Sequence, residues 1–291
     1  MRLVRTARRA AFGVVTRTLP LYQRRWVLYA ARQRRWPRLR EPVTFTEKVN
    51  WRILHDRRDV LKATCGKLEM KRYAASVASS LPMPRTVWSG TDVRELAGVE
   101  LPGRWVLKPN HRSNLVHFGA GPVTDVAALE RRVRDEGWMD HHQLDRMGEW
   151  AYAYAERTLL VEEAIGEEGV APDDYKLFVF DGVPRMIQVD SSRFSGHRRR
   201  HYRPDWTPLP HRSAFPLGPV TDPPARLGEM LEAAATLGAG FDFMRVDLYD
   251  VEEGLYFGEL TPYPGGGLSR FVPRDLDFEL GSYWRLPDAT R

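Results

Sequence analysis

An arginine and two carboxylates occur together in a β-prone stretch between residues 243 and 267. Arg245 and Asp247 are two residues apart, so on a strand their side chains would share one face. Glu259 follows in a second β-prone run, and the segment between the runs has the composition of a hairpin turn. The two carboxylates should therefore meet across the hairpin. Because Mg²⁺ binds protein carboxylates together with phosphate oxygens, this pattern indicates a site for a magnesium-bound polyphosphate such as ATP.

The composition is typical of an intracellular globular enzyme. The chain has 291 residues, 43% of them hydrophobic, which allows a large core and favours two or three subdomains. The single cysteine, Cys65, excludes an intrachain disulfide and fits a reducing compartment. No apolar run is long enough to span a membrane, and the pattern of a cleaved signal peptide is not found. We therefore expect a cytoplasmic protein.

The net charge of +6 comes from the first 40 residues, which contain twelve arginines and no acidic residue. Aromatic residues, among them Trp26, Tyr29 and Trp36, lie between these arginines in a segment that is predicted to be partly helical. The segment could pack on the enzyme body, make peripheral contact with an anionic membrane at the inner face, or bind nucleic acid. Nucleic acid is the least favoured partner because no recognisable nucleic-acid motif accompanies the arginines.

After this arm, helical and β-prone segments alternate. Helical patterns occur at residues 45–61, 67–80, 93–97, 125–137 and 227–237. β-Prone runs occur at residues 84–88, 105–108, 159–165, 175–180, 184–189, 243–248 and 255–260. Residues 190–224 are predicted to be a long polar segment. The pattern predicts a basic arm at 1–43, helices with a small α/β subdomain at 44–158, and a second subdomain at 159–291.

Several further charged residues lie where an anionic ligand could use them. Lys108 ends the apolar strand WVLK, where an unpaired lysine is costly to bury, so a phosphate partner is plausible. Lys67 opens the helix that begins KLEMK, and Glu162 lies in LLVEEAIGEE. Asp174 and Lys176 share one face of the strand DYKLFVF. Each of these residues, taken alone, is also typical of a surface charge or an ordinary strand.

In their order along the chain, these motifs resemble those of the ATP-grasp superfamily. The strings TFTEKVNWRILHDR, DYKLFVFDG, IQVDSSRFSGHRR, RVDLYDVEEGLYFGEL and PGGG are similar to the TupA-like ATP-grasp family, from about Thr44 to the carboxyl terminus. That family is associated with teichuronopeptide and other cell-surface polysaccharide biosynthesis. The resemblance implies an α+β ATP-grasp fold in which two α+β subdomains clasp ATP, here with a helical basic N-terminal extension.

The resemblance also implies a role for each matching residue. Arg245 and Lys108 would be catalytic. The nucleotide would be bound by Lys67, Lys108, Ser113, Glu162, Ala164, Ile165, Asp174 and Lys176. The Mg²⁺ ligands would be Asp247, Glu259 and Thr261.

Two positions depart from the pattern of the superfamily. Thr261 stands where many ATP-grasp ligases have asparagine. His111-Arg112-Ser113-Asn114 replaces the usual glycine-rich phosphate loop. Arg112 in that loop could add charge to the phosphate clamp or disturb it.

The activity implied by the resemblance is ATP-dependent ligation of a carboxylate to an amine through an acyl phosphate. The acid would be an amino acid, a peptide or a uronic-acid-type compound. A basic run from Arg193 to His201, which includes His197 and Arg199, could dock an anionic substrate or form a solvated loop. Its candidate substrate contacts are Arg193, Arg198, Arg200 and His201. One alternative is a kinase that phosphorylates a sugar or another hydroxyl compound. Another is a catalytically impaired scaffold in surface-polymer assembly.

Overall fold

The computed structural model describes residues 12–113, 115–140, 147–169, 172–191 and 196–288, which form an α+β protein built around two sheets. The main helices are α1 (Leu21–Gln33), α2 (Phe45–His55), α3 (Lys67–Val77), α4 (Val126–Asp135), α5 (Leu227–Gly238) and α6 (Asp275–Tyr283). The strands are β1 (Thr86–Gly90), β2 (Trp105–Pro109), β3 (His117–Gly119), β4 (Leu159–Glu163), β5 (Asp174–Phe180), β6 (Val183–Ser191), β7 (Arg198–Tyr202), β8 (Pro208–Leu209), β9 (Arg212–Ser213), β10 (Phe243–Val251), β11 (Gly254–Thr261) and β12 (Phe271–Val272).

The smaller sheet has four antiparallel strands in the order β1-β4-β2-β3. Trp105 and Leu107 of β2 are buried in a core that includes residues of α4. Because side chains alternate along a strand, Lys108 lies on the other face of this sheet. Strand β4, which begins at Leu159, lies between β1 and β2. The small sheet therefore contains residues from both sides of the predicted division at 158 and 159.

The larger sheet has six antiparallel strands in the order β11-β10-β5-β6-β7-β8. One of its faces is apolar and packs against α5. The opposite face is divided: Phe178 and Phe243 contact Phe45 of α2 at one end, with ring centroids 5.5 and 4.9 Å from that of Phe45. The other end of the same face carries charged residues, including Lys176 and Asp247. A single sheet face thus holds both an aromatic core and a polar surface.

Most predicted helices and strands are present with shifted ends, but three predicted segments need correction. The helix predicted at 45–61 ends at His55 and is followed by a 3₁₀ helix at Asp59–Thr64, and the segment predicted as a helix at 93–97 is a 3₁₀ helix, Val93–Gly98. Helix α3 covers most of the predicted 67–80, and β5 and β6 form the hairpin predicted across Asp181 and Gly182. The segment 190–224, however, is not only a polar connection, because β7 lies within it and pairs with β6. Its run of arginines hid the strand, since charged residues are depleted in typical strands.

The amino-terminal arm packs on the rest of the protein over residues 21–39, which agrees with the first of the three alternatives. Tyr29 of α1 is fully buried, and its hydroxyl lies 3.1 Å from Oγ1 of Thr46. Leu28 and Leu39 are also buried. Trp36 is 68% exposed, and its ring stacks on that of Trp26. Residues 1–11 lie outside the described part. Among the described helices, none combines the length and the apolar character that crossing a bilayer requires.

We expect Tyr29→Ala to lower the free energy of unfolding by about 3 kcal/mol, because it leaves a cavity under α1. Tyr22→Ala is a matched control on the same helix, because Tyr22 is 37% exposed. The control should change stability by less than about 0.5 kcal/mol. Urea unfolding of both variants measures the difference, and equal midpoints would show that α1 is not part of the core.

Candidate functional site

A cleft of about 1320 Å³ lies between the two sheets. The small sheet contributes Lys108 and Glu162 to its wall, and the large sheet contributes Lys176, Arg245 and Glu259. Of the residues predicted from the sequence, the cleft is lined by Lys67, Lys108, Ser113, Glu162, Ala164, Ile165, Asp174, Lys176, Arg245, Glu259 and Thr261. The structure thus brings residues from distant parts of the sequence to one cavity.

The hairpin of β10 and β11 pairs Asp247 with Glu259 and Arg245 with Thr261. The register shifts by one residue after Asp247, which makes Gly258 the extra residue of a β-bulge. Without this bulge, Glu259 would pair with an apolar position and point to the opposite face. A side chain at Gly258 would come within 2.8 Å of the Tyr249 ring, so glycine is needed here.

Both carboxylate oxygens of Asp247 are held by cations. Nε and Nη2 of Arg245 each donate a hydrogen bond of 2.7 Å to this carboxylate, and Lys176 Nζ donates another of 3.0 Å. Burial alone would raise the pKa of Asp247, but Arg245 and Lys176 outweigh it and hold that pKa below its usual value. Nη2 of Arg245 also donates to Thr261 Oγ1 over 2.8 Å. Asp247 therefore remains ionised and fixes the arginine.

Lys176 connects Asp247 to two further carboxylates. It forms a short ion pair with Asp174, and its Nζ lies 3.9 Å from Asp190. Nε of Arg199 donates to Asp190 over 2.5 Å, and Nη2 donates over 2.8 Å. Burial acts to raise the pKa of Asp190, but Arg199 outweighs burial and lowers the pKa to about 2. This wall of the cleft is therefore a chain of alternating buried charges.

Lys67, at the start of α3, holds the loop that follows β2. Its ammonium group donates to the carbonyl oxygens of Pro109 and Arg112, over 2.9 and 2.5 Å. Burial lowers the pKa of Lys67 to about 8, with Glu259 opposing the shift and Lys108 adding to it. Lys67 therefore holds the loop that follows β2, and its ammonium group lines the cleft.

Glu162 joins two lysines on the small-sheet side. Its Oε2 forms a short ion pair with Lys108, and its Oε1 lies 2.9 Å from Lys71 Nζ. Burial tends to raise the pKa of Glu162, but the two lysines outweigh burial and lower it. Sequence analysis missed Lys71; its place four residues after Lys67, on the same helix face, was the available signal. Ala164, another of the predicted nucleotide-binding residues, uses its backbone N–H within the fold, where it donates to the carbonyl oxygen of Arg104 over 3.1 Å.

The predicted substrate-docking residues do not line the cleft as a group. Arg193 lies outside the described residues, and His201 is fully buried. Arg198 donates to the carbonyl oxygen of Leu217, and Arg200 donates to that of Gly218. The cleft is instead lined by Arg199 and His197, whose guanidinium and ring lie over Phe215. If β7 had been predicted as a strand, Arg199 would have been assigned to one face and Arg198 and Arg200 to the other, because residues two apart share a face.

The cleft offers Mg²⁺ a carboxylate. Within the described residues, no hydrogen bond or ion pair joins Glu259 to another side chain, although it lines the cleft beside Thr261. No group of three or more His, Cys, Asp or Glu side chains is arranged to hold a metal in the described part of the chain. The carboxylate of Glu259 and the hydroxyl of Thr261 nevertheless fit Mg²⁺, which uses one or two protein carboxylates and takes its other ligands from phosphates and water.

The sequence model of the family described as TupA-like ATPgrasp matches residues 47–285. None of the curated proteins is similar enough to count as a match.

Among solved structures, the ATP-grasp ligase PsnB, complexed with a minimal-precursor variant, Mg and ADP, is 14% identical over 70% of this chain and 51% of its own, with a TM-score of 0.39. D-Alanine–D-alanine ligase from Bacillus anthracis is 14% identical over 69% of this chain and 57% of its own, with a TM-score of 0.40. The corresponding ligase from Helicobacter pylori is 17% identical over 78% and 60%, with a TM-score of 0.40. This chain therefore spans just over half the length of the first two proteins.

We expect Lys67 to be more reactive than Lys62 near pH 8. A lysine whose pKa is about 8 is half neutral at that pH, whereas an ordinary lysine is neutral in only about 0.3% of molecules. Since the neutral amine is the nucleophile, acetylation of Lys67 should rise steeply between pH 7 and 8.5. Competitive labelling with acetic anhydride, followed by mass spectrometry, compares it with Lys62, whose pKa is raised by Asp59. Equal labelling of the two lysines across this range would contradict the lowered pKa.

Proposed function

Because this chain belongs to the TupA-like ATP-grasp family, we propose that it is an ATP-dependent ligase that joins a carboxylate to an amine. The observation that carries the proposal is the convergence of Lys67, Lys108, Arg245 and Glu259 on one cleft between two sheets. Three cations and one carboxylate suit a nucleoside triphosphate with its divalent ion. The family resemblance makes cell-surface polysaccharide biosynthesis the proposed setting.

ATP and Mg²⁺ are the proposed cofactors. Lys67 and Lys108 would neutralise the phosphates, and Mg²⁺ would be held by Glu259 with Asp247 and Thr261 beside it. When bound, Mg²⁺ would offset the negative charge of the terminal phosphates. Adenine would lie near Ala164 and Ile165. Glu162 would fix the position of Lys108. The nucleotide site would be completed by Ser113, Asp174 and Lys176.

The reaction would proceed in two steps. A carboxylate oxygen of the acid attacks the γ-phosphorus of ATP, ADP leaves, and an acyl phosphate forms. The amine then attacks the acyl carbon, phosphate leaves, and the nitrogen loses a proton to give the amide. Among the described residues, none accepts a hydrogen bond from Nη1 of Arg245. That nitrogen can donate to the acyl phosphate oxygens and to the oxyanion that develops during attack.

The acid is proposed to be an amino acid, a peptide or a uronic-acid-type compound. Arg199 and His197, which line the cleft, are better placed to contact it than Arg198, Arg200 or His201. Arg199 already pairs with Asp190, so its guanidinium is held in one orientation and can present its remaining donors to a carboxylate.

Glu259→Gln should reduce ADP release by orders of magnitude, because it removes the charge of a metal ligand with little change in volume. Glu253→Gln is a matched control in the same hairpin, because Glu253 is exposed. We expect the control to turn over ATP at the rate of the original protein, with both variants retaining its melting temperature. Fast ADP release from folded Glu259→Gln would contradict the metal assignment.

The product identifies the reaction class. ADP release should require both an acid and an amine from panels of uronic acids, amino acids and peptides, and mass spectrometry should find the amide. A phosphorylated hydroxyl compound would establish the kinase alternative instead. If ATP binds but no panel supports turnover, the scaffold alternative gains support.

We also propose that the protein is cytoplasmic and that its arm makes peripheral contact with an anionic membrane. Exposed Trp36 stands among four exposed arginines, and indole rings and guanidinium groups suit the lipid headgroup region. These arginines are Arg32, Arg34, Arg38 and Arg40. Each could contribute up to about 1 kcal/mol at an anionic surface.

Replacing these four arginines by glutamine should weaken sedimentation with phosphatidylserine vesicles by at least about tenfold, more so at low salt. A matched control replaces four exposed arginines near the small sheet, Arg85, Arg94, Arg131 and Arg134. The control should retain vesicle binding because its net charge is the same but its charges lie elsewhere. Equal loss in both variants would show that only net charge matters.

A further inference from the structure

Helix α1 precedes the region matched by the family model, yet it contacts the cleft. Arg25, Tyr29 and Gln33 are spaced four residues apart, so they form one stripe along the helix, and all three are buried. Nε2 of Gln33 donates to the carbonyl oxygen of Ser269 over 3.1 Å. At the other end of the stripe, Arg25 donates to the carbonyl oxygen of Gly266. Both acceptor residues line the cleft.

Arg25 and Asn50 hold two consecutive carbonyls of the turn Pro264–Gly267. Nε and Nη2 of Arg25 donate to Oδ1 of Asn50 over 2.8 and 2.6 Å. Nδ2 of Asn50 in turn donates to the Gly267 carbonyl over 2.9 Å. Burial lowers the pKa of Arg25 to about 10, so the guanidinium remains charged at neutral pH. Charged donors give the stronger hydrogen bonds.

The turn depends on such contacts because its sequence imposes little conformation. Gly265, Gly266 and Gly267 have φ values of 55, 57 and 64°, a left-handed run that side chains rarely adopt. Three consecutive glycines have many accessible conformations, so external hydrogen bonds must select one. A Cβ at Gly267 would come within 2.4 Å of Nδ2 of Asn50, which shows how closely α2 approaches.

We propose that Arg25 is a positioning residue for the cleft, with Gln33 as its weaker counterpart at the other end of α1. By fixing the turn, Arg25 also fixes the end of β11, where Glu259 and Thr261 lie a few residues earlier. The amino-terminal arm is therefore part of the catalytic architecture and not only a covering of the core. The effect on turnover rests on the proposed function, whereas the effect on the turn does not.

The test compares Arg25→Met with Arg17→Met, a control in the same arm whose arginine is exposed. Hydrogen exchange, read by mass spectrometry, should accelerate about tenfold at residues 265–269 in Arg25→Met and stay unchanged in the control. ADP release should fall by about tenfold or more, since small displacements of reacting groups are costly. The KM for ATP should stay within about twofold, because Lys67 and Lys108 belong to the other wall.

Two further variants keep the test decisive if Arg25→Met does not fold. Arg25→Lys keeps the charge but cannot bridge Asn50 and Gly266 with a planar fork, so it should show an intermediate exchange rate. Gln33→Met removes one hydrogen bond to the Ser269 carbonyl oxygen and should accelerate exchange at residues 265–269 less than Arg25→Met does. Exchange that rises evenly over the whole chain, or not at all near the turn, would overturn the positioning role. Absence of ADP release in every protein, with the exchange change still present, would count against the proposed function only.

Discussion

The buried ion pairs around Lys176 are the interaction on which the large-sheet side of the cleft depends. Three cations and three carboxylates alternate along this wall among the described residues: Lys176, Arg199 and Arg245 with Asp174, Asp190 and Asp247. The equal numbers matter because an unpaired buried charge costs several kcal/mol, whereas a paired one is tolerated. Removing one partner of such a pair costs about 3–5 kcal/mol. The wall is therefore rigid and electrically balanced before any ligand arrives.

This balance leaves Glu259 as the carboxylate whose charge is directed into the cleft from the large sheet. On the opposite side, Lys71 and Lys108 share the carboxylate of Glu162, and Lys67 donates to carbonyl oxygens of the loop after β2. The small-sheet side thus brings Lys67 and Lys108 to the cleft, and the large-sheet side presents the carboxylate of Glu259. A ligand that combines a polyanion with a divalent cation would satisfy both sides at once, and its binding would link the two sheets.

The sequence predicted the partners of the hairpin but not the reason they meet. Counting back from the turn, an unbulged hairpin would pair Asp247 with Gly258 and direct Glu259 to the apolar face. The bulge brings Glu259 opposite Asp247, and it places Gly258 so close to the Tyr249 ring that a side chain there would be crowded, which composition does not reveal. For the predicted docking residues the spacing was visible in the sequence, but the strand that gives it meaning was not predicted. A two-residue period was present in the arginine run, but without a predicted strand there was no face to assign, so Arg199 could not be distinguished from its neighbours.

The amino-terminal arm shows why charge patterns alone could not decide between packing and solvent exposure. Arg25 and Arg32 occur on one helix in similar sequence surroundings, yet one is fully buried and the other exposed. What distinguishes Arg25 is the set of acceptors that it meets, Asn50 and the Gly266 carbonyl, and these come from remote parts of the chain. A buried guanidinium without these acceptors would carry a large desolvation cost. The fold of the cleft turn and the burial of Arg25 therefore require each other, and neither could be derived from the arm on its own.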